Sequence, residues 1–245
     1  MKYTRVVSLT LLFVILSFGV AFGQEKVTIV APSTKAAEGL DLKAVSELFK
    51  DSKNLEEFEK ALNDPDTGVN NLDLDGDGDV DFIRVVEEVA EDTHVIILQV
   101  PLGENEFQDV ATIEVEKTGE EAYNMQVRGN EVMYGANYYF APVDVHIHAW
   151  PAIVWIYRPA YHPYRSAFLF GVYPRWWRRH HPVAVAVYHT RTVRLTGRNA
   201  FTHVRVGRVM TVHKVRYKAH SSPRVKARVE HKKSARERNG KGRRR

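Results

Sequence analysis

Apolar positions recur every three or four residues in two stretches of the first third of the chain. Leu42, Val45, Leu48 and Phe49 follow Asp41, which can cap a helix running through Lys50. Leu55, Phe58 and Leu62 follow Asn54, which can cap a second helix, and Asn63-Asp64-Pro65-Asp66-Thr67-Gly68 ends it with turn-forming residues. From residue 82 the period changes to two. Strand-like runs at 82–89, 93–101, 108–117 and 122–128 are separated by Glu91-Asp92, Gly103-Glu104-Asn105 and Gly129-Asn130, the punctuation of hairpins. The pattern predicts an α+β domain, two helices packed on an antiparallel β meander, spanning residues 24–140 after a lead-in with a short strand at 26–30.

Other stretches read differently. Residues 6–20 are almost wholly apolar, follow Lys2 and Arg5, and precede Ala21-Phe22-Gly23, which together predict a signal peptide over residues 1–23 and an exported protein, periplasmic or extracellular and peripheral to the membrane. Residues 150–177 hold all four tryptophans, with Tyr157, Tyr161, Tyr164, Tyr173, Phe168 and Phe170, and five prolines between 151 and 182 exclude long helices there. These aromatics suit a packed core, a membrane interface or a stacking platform for sugars. In 183–218, Val183, Val185 and Val187 alternate with Ala184, Ala186 and Tyr188, which predicts strands, so that 141–220 forms a basic, aromatic, β-rich region. Residues 221–245 have no aromatic side chain and eleven Lys or Arg, the composition of a disordered cationic tail.

Charge sharpens this division. Residues 24–140 carry 27 acidic groups against 9 basic, a net −18, whereas 141–245 carry 3 against 24, a net +21. Such a split implies that the halves attract each other or that each meets its own partner. For the basic half of an exported chain the available polyanions are an anionic lipid, glycolipid or polysaccharide of the envelope; intracellular nucleic acid does not fit export, and self-association through opposite charges is a further route. The chain has no cysteine, which excludes disulfides, thiol catalysis, thiolate metal sites and a lipid-attachment cysteine.

Specific chemistry is concentrated in Asp73-Leu74-Asp75-Gly76-Asp77-Gly78-Asp79-Val80-Asp81. Five carboxylates at alternate positions repel one another unless a cation neutralises them, and calcium takes six to eight oxygen ligands in a flexible cage. Counting from Asp73, the side chains of Asp73, Asp75 and Asp77 occupy positions 1, 3 and 5, Gly78 the sharp turn at 6, Asp79 the carbonyl position 7 and Asp81 position 9. Position 12 is Arg84, where an EF-hand has a bidentate glutamate, and a strand rather than a helix follows. The loop resembles those of FG-GAP repeats in integrin-type β-propellers, D-x-D-x-D-G-x-x-D before a strand, and Asp73, Asp75, Asp77, Gly78 and Asp81 match it. The resemblance implies a Ca2+ loop that needs no position-12 acid. One copy does not make a propeller. The run from Asn70 to Val86 is also similar to an uncharacterised exported bacterial protein family, which implies export and no activity.

Little else points to chemistry. His146 and His148, with His180 and His181, offer imidazoles for zinc but lack a further ligand at motif spacing. No G-x-S-x-G, phosphate-binding glycine loop or H-E-x-x-H motif occurs. The reading is an exported calcium-binding, non-enzymatic protein whose basic half contacts an anionic envelope component. The alternative is a secreted hydrolase with a site built from scattered carboxylates or histidines.

Overall fold

The computed structural model describes residues 37–144 and 146–242. The signal segment expected at 1–23 and the strand expected at 26–30 lie outside the described residues. Helices α1 (Leu42–Asp51) and α2 (Leu55–Leu62) form where the apolar spacing predicts. Asp41 Oδ1 accepts from Lys43 N at 2.8 Å and Asn54 Oδ1 from Glu57 N at 2.8 Å, caps of the kind worth about 1 kcal/mol each.

The meander follows as β1 (Arg84–Ala90), β2 (Thr93–Gly103), β3 (Glu106–Lys117) and β4 (Tyr123–Gly129). After the short helix α3 (Glu131–Tyr134) come β5 (Tyr139–Pro142), helix α4 (Pro151–Ile156), helix α5 (Val185–Thr196), β6 (Phe201–Val204) and helix α6 (Pro223–Gly242). All six strands form one antiparallel sheet in the order β1-β2-β3-β4-β5-β6. The basic half thus contributes β6 to the sheet, and the expected boundary at residue 140 falls inside β5.

The period-two pattern divides the sheet into two faces. Ile96 and Leu98 of β2 join Val85, Ile113, Phe49, Phe58 and Leu62 in the main core under α1 and α2. Phe49 and Phe58 meet edge-to-face at 5.4 Å. The intervening Val95 and Ile97 join Val86 and Val215 in a smaller cluster on the other face. That second face also buries polar groups. Asp109 accepts from His220 N and from Tyr217 OH, each at 2.6 Å, so the chain near residue 217 is held down by hydrogen bonds as well as apolar contact.

The basic half corrects two expectations. Residues 183–188 do not make strands, and 141–220 is not β-rich: its regular elements are α4, α5, the end of β5 and the four-residue β6, besides two short 3-10 turns. In α5, Tyr188, Thr192 and Leu195 are buried, a set at helical spacing, while Val185, Val187 and Val193 face solvent. The local valine–alanine alternation therefore gives way to burial of the helical face. Tyr188 fixes that face: its hydroxyl accepts from Asp41 N at 2.6 Å and donates to Val69 O at 2.9 Å. Residues 223–242 are helical rather than a disordered tail. Val225 and Val229, four apart, are buried in the main core, and Arg224 pairs with Glu106. Two apolar side chains on one helical face and an acidic surface to meet are what the tail's composition conceals.

Candidate metal site

The acidic loop joins α2 to β1 and is tied at both ends. Asn63 donates to Ile83 O and accepts from Ile83 N, each at 2.7 Å. Asn70 Nδ2 donates to Asp81 O at 2.7 Å, and Asp81 N to Leu72 O at 2.7 Å. Leu72, Leu74 and Val80 are buried, and of the alternate aspartates Asp77 is exposed while Asp73, Asp75, Asp79 and Asp81 are half-buried. Gly76 and Gly78 carry φ of +81° and +92°, which L side chains rarely adopt.

Asp73, Asp75 and Asp81 converge: each offers a carboxylate oxygen within 4.8 Å of the others. One oxygen of each is already used within the loop, Asp73 Oδ1 by Gly76 N at 2.6 Å, Asp75 Oδ1 by Asp77 N at 3.0 Å, and Asp81 Oδ2 by Leu74 N at 2.5 Å. The second oxygen of each has no hydrogen-bond partner among the described residues and is free to ligate. This triad can hold a metal ion. In the absence of one, Asp81 is pushed up to about 7, by burial first and then by the charges of Asp75, Asp73 and Asp77, against the opposing Leu74 N–H. Burial and like charge both disfavour ionisation there, and a bound cation would relieve the second.

Asp77 and Asp79 lie outside the triad. Asp77 Oδ1 accepts from Asp79 N at 2.8 Å, and an Oδ2 of each stands 3.5 Å from Arg179 Nη1. His181 Nδ1 donates to Gly78 O at 2.8 Å and sits 3.1 Å from Asp79 Oδ1. On α6, Arg228 Nη1 donates to Leu74 O at 2.9 Å and Asp73 O at 3.2 Å. Arg228 also lies against Gly76, where an added Cβ would clash with its guanidinium. None of Arg179, His181 and Arg228 is reached by motif reasoning, because each lies about a hundred residues or more along the chain; the opposed charge of the two halves was the only signal.

The zinc candidates do not assemble. His146 and His148 have ring centroids 6.3 Å apart, His146 faces Asp144 at 3.2 Å, and His180 accepts from Val80 N through its carbonyl at 2.8 Å. Among the described residues neither His146 nor His148 belongs to a cluster of three metal-ligating side chains.

A second feature lies on the far face of the sheet. A cavity of about 260 Å³ is lined by Asp109, Glu114, Arg128, Glu131, Tyr217 and Ser221, among others. Burial raises the Glu114 carboxyl, against hydrogen bonds from Gln126 and Thr112. No protein-family model, curated protein or solved structure matches the chain.

Proposed function

We propose that this chain is an exported, non-enzymatic calcium-binding protein whose basic surface contacts an anionic component of the bacterial envelope. The convergence of Asp73, Asp75 and Asp81 around free carboxylate oxygens carries the reading. The donors are all hard oxygens on a glycine-containing loop, which suits calcium's flexible shell better than the strict octahedron of magnesium. His181, the imidazole that contacts the loop, is bonded to the Gly78 carbonyl and sits beside Asp79, which is not one of the triad. The apolar run at 6–20 supports export. Support for an anionic partner comes from cations such as Arg175, Arg178, Arg191 and Arg194, which have no carboxylate partner among the described residues.

Titration calorimetry on residues 24–245 tests the metal. One site is expected, with a dissociation constant on the order of 10⁻⁵ to 10⁻³ M, as for extracellular modules. Asp75→Ala should give a flat trace, and a flat trace from the unaltered protein sinks the reading. Pull-down from envelope fractions with and without chelator tests the partner.

One observation favours the hydrolase reading: Glu114 and Asp109 share a cavity. Their oxygens already accept from Thr112, Gln126, Gln99, Tyr217 and the His220 amide, which suits a structural role better. Turnover of a glycoside or ester that Glu114→Gln abolishes without lowering the melting temperature would reverse that preference.

A further inference from the structure

Phe82, next in the chain after Asp81, is buried and stands at the centre of an aromatic cluster. Phe168, Tyr173, Trp176 and Trp177 surround it with ring centroids at 5.6, 5.9, 6.2 and 5.5 Å. Phe168 and Tyr173 are also the two feet of a tight hairpin. Leu169 N donates to Val172 O at 3.2 Å and Val172 N to Leu169 O at 2.9 Å, which leaves Phe170 and Gly171 at the tip. Gly171 has φ +77° and Phe170 does not have a positive φ, the pattern of a type II turn, which places glycine at its second central position.

The tip is apolar and faces solvent. Leu169 is 43% exposed, Phe170 44% and Val172 57%, and Trp176, just past the hairpin, is 41% exposed. A Cβ built on Gly171 meets no atom within 4 Å, so the turn projects freely. Single exposed apolar side chains are ordinary, but three on one tight hairpin, with half-buried aromatic feet packed on Phe82 and an exposed tryptophan just beyond, mark an interaction surface.

The flanking charge selects the partner. Arg175 and Arg178 are exposed on either side of Trp176 and have no carboxylate partner among the described residues. Lys60 Nζ lies 5.9 Å from the Trp176 ring. The chain has no acidic residue between Asp144 and Glu230, so the hairpin brings no negative charge of its own. An apolar tip bordered by tryptophan, tyrosine and arginine is matched to a bilayer surface, where the rings sit at headgroup level and the cations meet phosphate. A soluble polysaccharide would use the cations and leave Leu169, Phe170 and Val172 without a role.

We propose that the 168–177 hairpin is a membrane-docking element, which inserts Leu169, Phe170 and Val172 into an anionic lipid surface while Arg175 and Arg178 contact headgroup phosphates. This rests on the anionic-envelope reading above and narrows that partner to lipid.

The test uses residues 24–245, which contain the whole compact unit Ala31–Arg245. The protein is sedimented with vesicles of phosphatidylcholine alone and of phosphatidylcholine mixed with phosphatidylglycerol. It should bind the mixed vesicles, with a blue shift of tryptophan emission. Phe170→Asp, and separately Arg175→Glu with Arg178→Glu, should each weaken binding about tenfold or more, the scale expected from losing one inserted aromatic ring. Melting temperature and the calcium isotherm should not change in Phe170→Asp. Equal vesicle binding by Phe170→Asp and the unaltered protein overturns the proposal. So does binding to an acidic polysaccharide with none to vesicles, or a dimer that Phe170→Asp dissolves in a protein that ignores vesicles. Vesicle binding that is sensitive to Phe170→Asp in a protein that binds no calcium supports the hairpin and removes only the calcium reading.

Discussion

Replacing Glu59 by glutamine should stabilise the protein above neutral pH and leave it unchanged in acid. Glu59 lies on α2 and is buried against the sheet, where its Oε2 accepts from Val85 N at 2.6 Å. Ser166, Tyr164 and the Arg84 charge also favour its ionised form, but burial outweighs them and pushes the carboxyl from 4.5 up to about 7. Between those values the folded chain holds a proton at Glu59 that the unfolded chain has released. Stability therefore falls as pH rises through this window, and the loss is complete above about 7. At about 1.36 kcal/mol per pH unit the window amounts to ~3 kcal/mol. Glutamine is neutral throughout, and its carbonyl oxygen can take the Val85 N–H. The stability difference between Glu59→Gln and the unaltered protein should grow from near zero at about pH 4 to ~3 kcal/mol at about pH 8. Urea unfolding across that range, in chelator, measures it. Asp81 and Glu114, whose carboxyls are also raised, are common to both proteins and cancel in the difference. A difference that does not vary with pH refutes the reasoning.

Saturating calcium should raise the melting temperature of residues 24–245, by about 2.7 kcal/mol of stability at a hundred times the dissociation constant. Magnesium should do less, and a calorimetric scan unmoved by calcium or chelator contradicts the site. Gly76→Ala should cost more stability than Gly78→Ala, although both glycines have positive φ, because only Gly76 has Arg228 against it. With strain alone worth about 1 kcal/mol at each, equal losses in urea unfolding would mean that Arg228 does not seat on the loop. High salt should leave the urea midpoint nearly unchanged but abolish vesicle binding, since only the latter depends on screened, unpaired cations.

What the sequence makes legible is what is local. The apolar periods and the caps Asp41 and Asn54 place α1 and α2, and alternation bounded by turn residues places β1–β4. β5 and β6 are four residues each, too short to show a period, and they pair across about sixty residues of chain. α5 hides behind its alternating valines, because Tyr188, Thr192 and Leu195 sit on a buried face that only the tertiary contacts reveal. The same limit divides the acidic loop. Its spacing brings Asp73, Asp75 and Asp81 together by local geometry, whereas Asp77 and Asp79 turn to Arg179 and His181, partners that no local pattern can name.

The opposed charges of the two halves act in the folding of one chain before they act on any partner. Arg165 meets Glu88 at 2.6 Å, Lys214 meets Glu91 at 2.7 Å, and Arg198, Arg224 and Arg179 meet Asp51, Glu106 and the loop aspartates. Each pair joins a basic segment to the acidic half, at a different element. Exposed ion pairs contribute little stability, so these contacts are better understood as setting register. The energy of docking comes from apolar groups close by in the chain: Tyr188 and Leu195 near Arg198, Val215 beside Lys214, and Val225 and Val229 near Arg224. This division explains how a half-chain with net +21 can fold at all. Its self-repulsion is offset where acids receive it, and the excess is left at positions such as Arg175 and Arg178. Those two lie beside a hairpin that also keeps its apolar residues in solvent. Unpaired charge and unburied apolar surface are each tolerated at some cost. Their coincidence at residues 169–178 is what singles out that hairpin, more than either property alone.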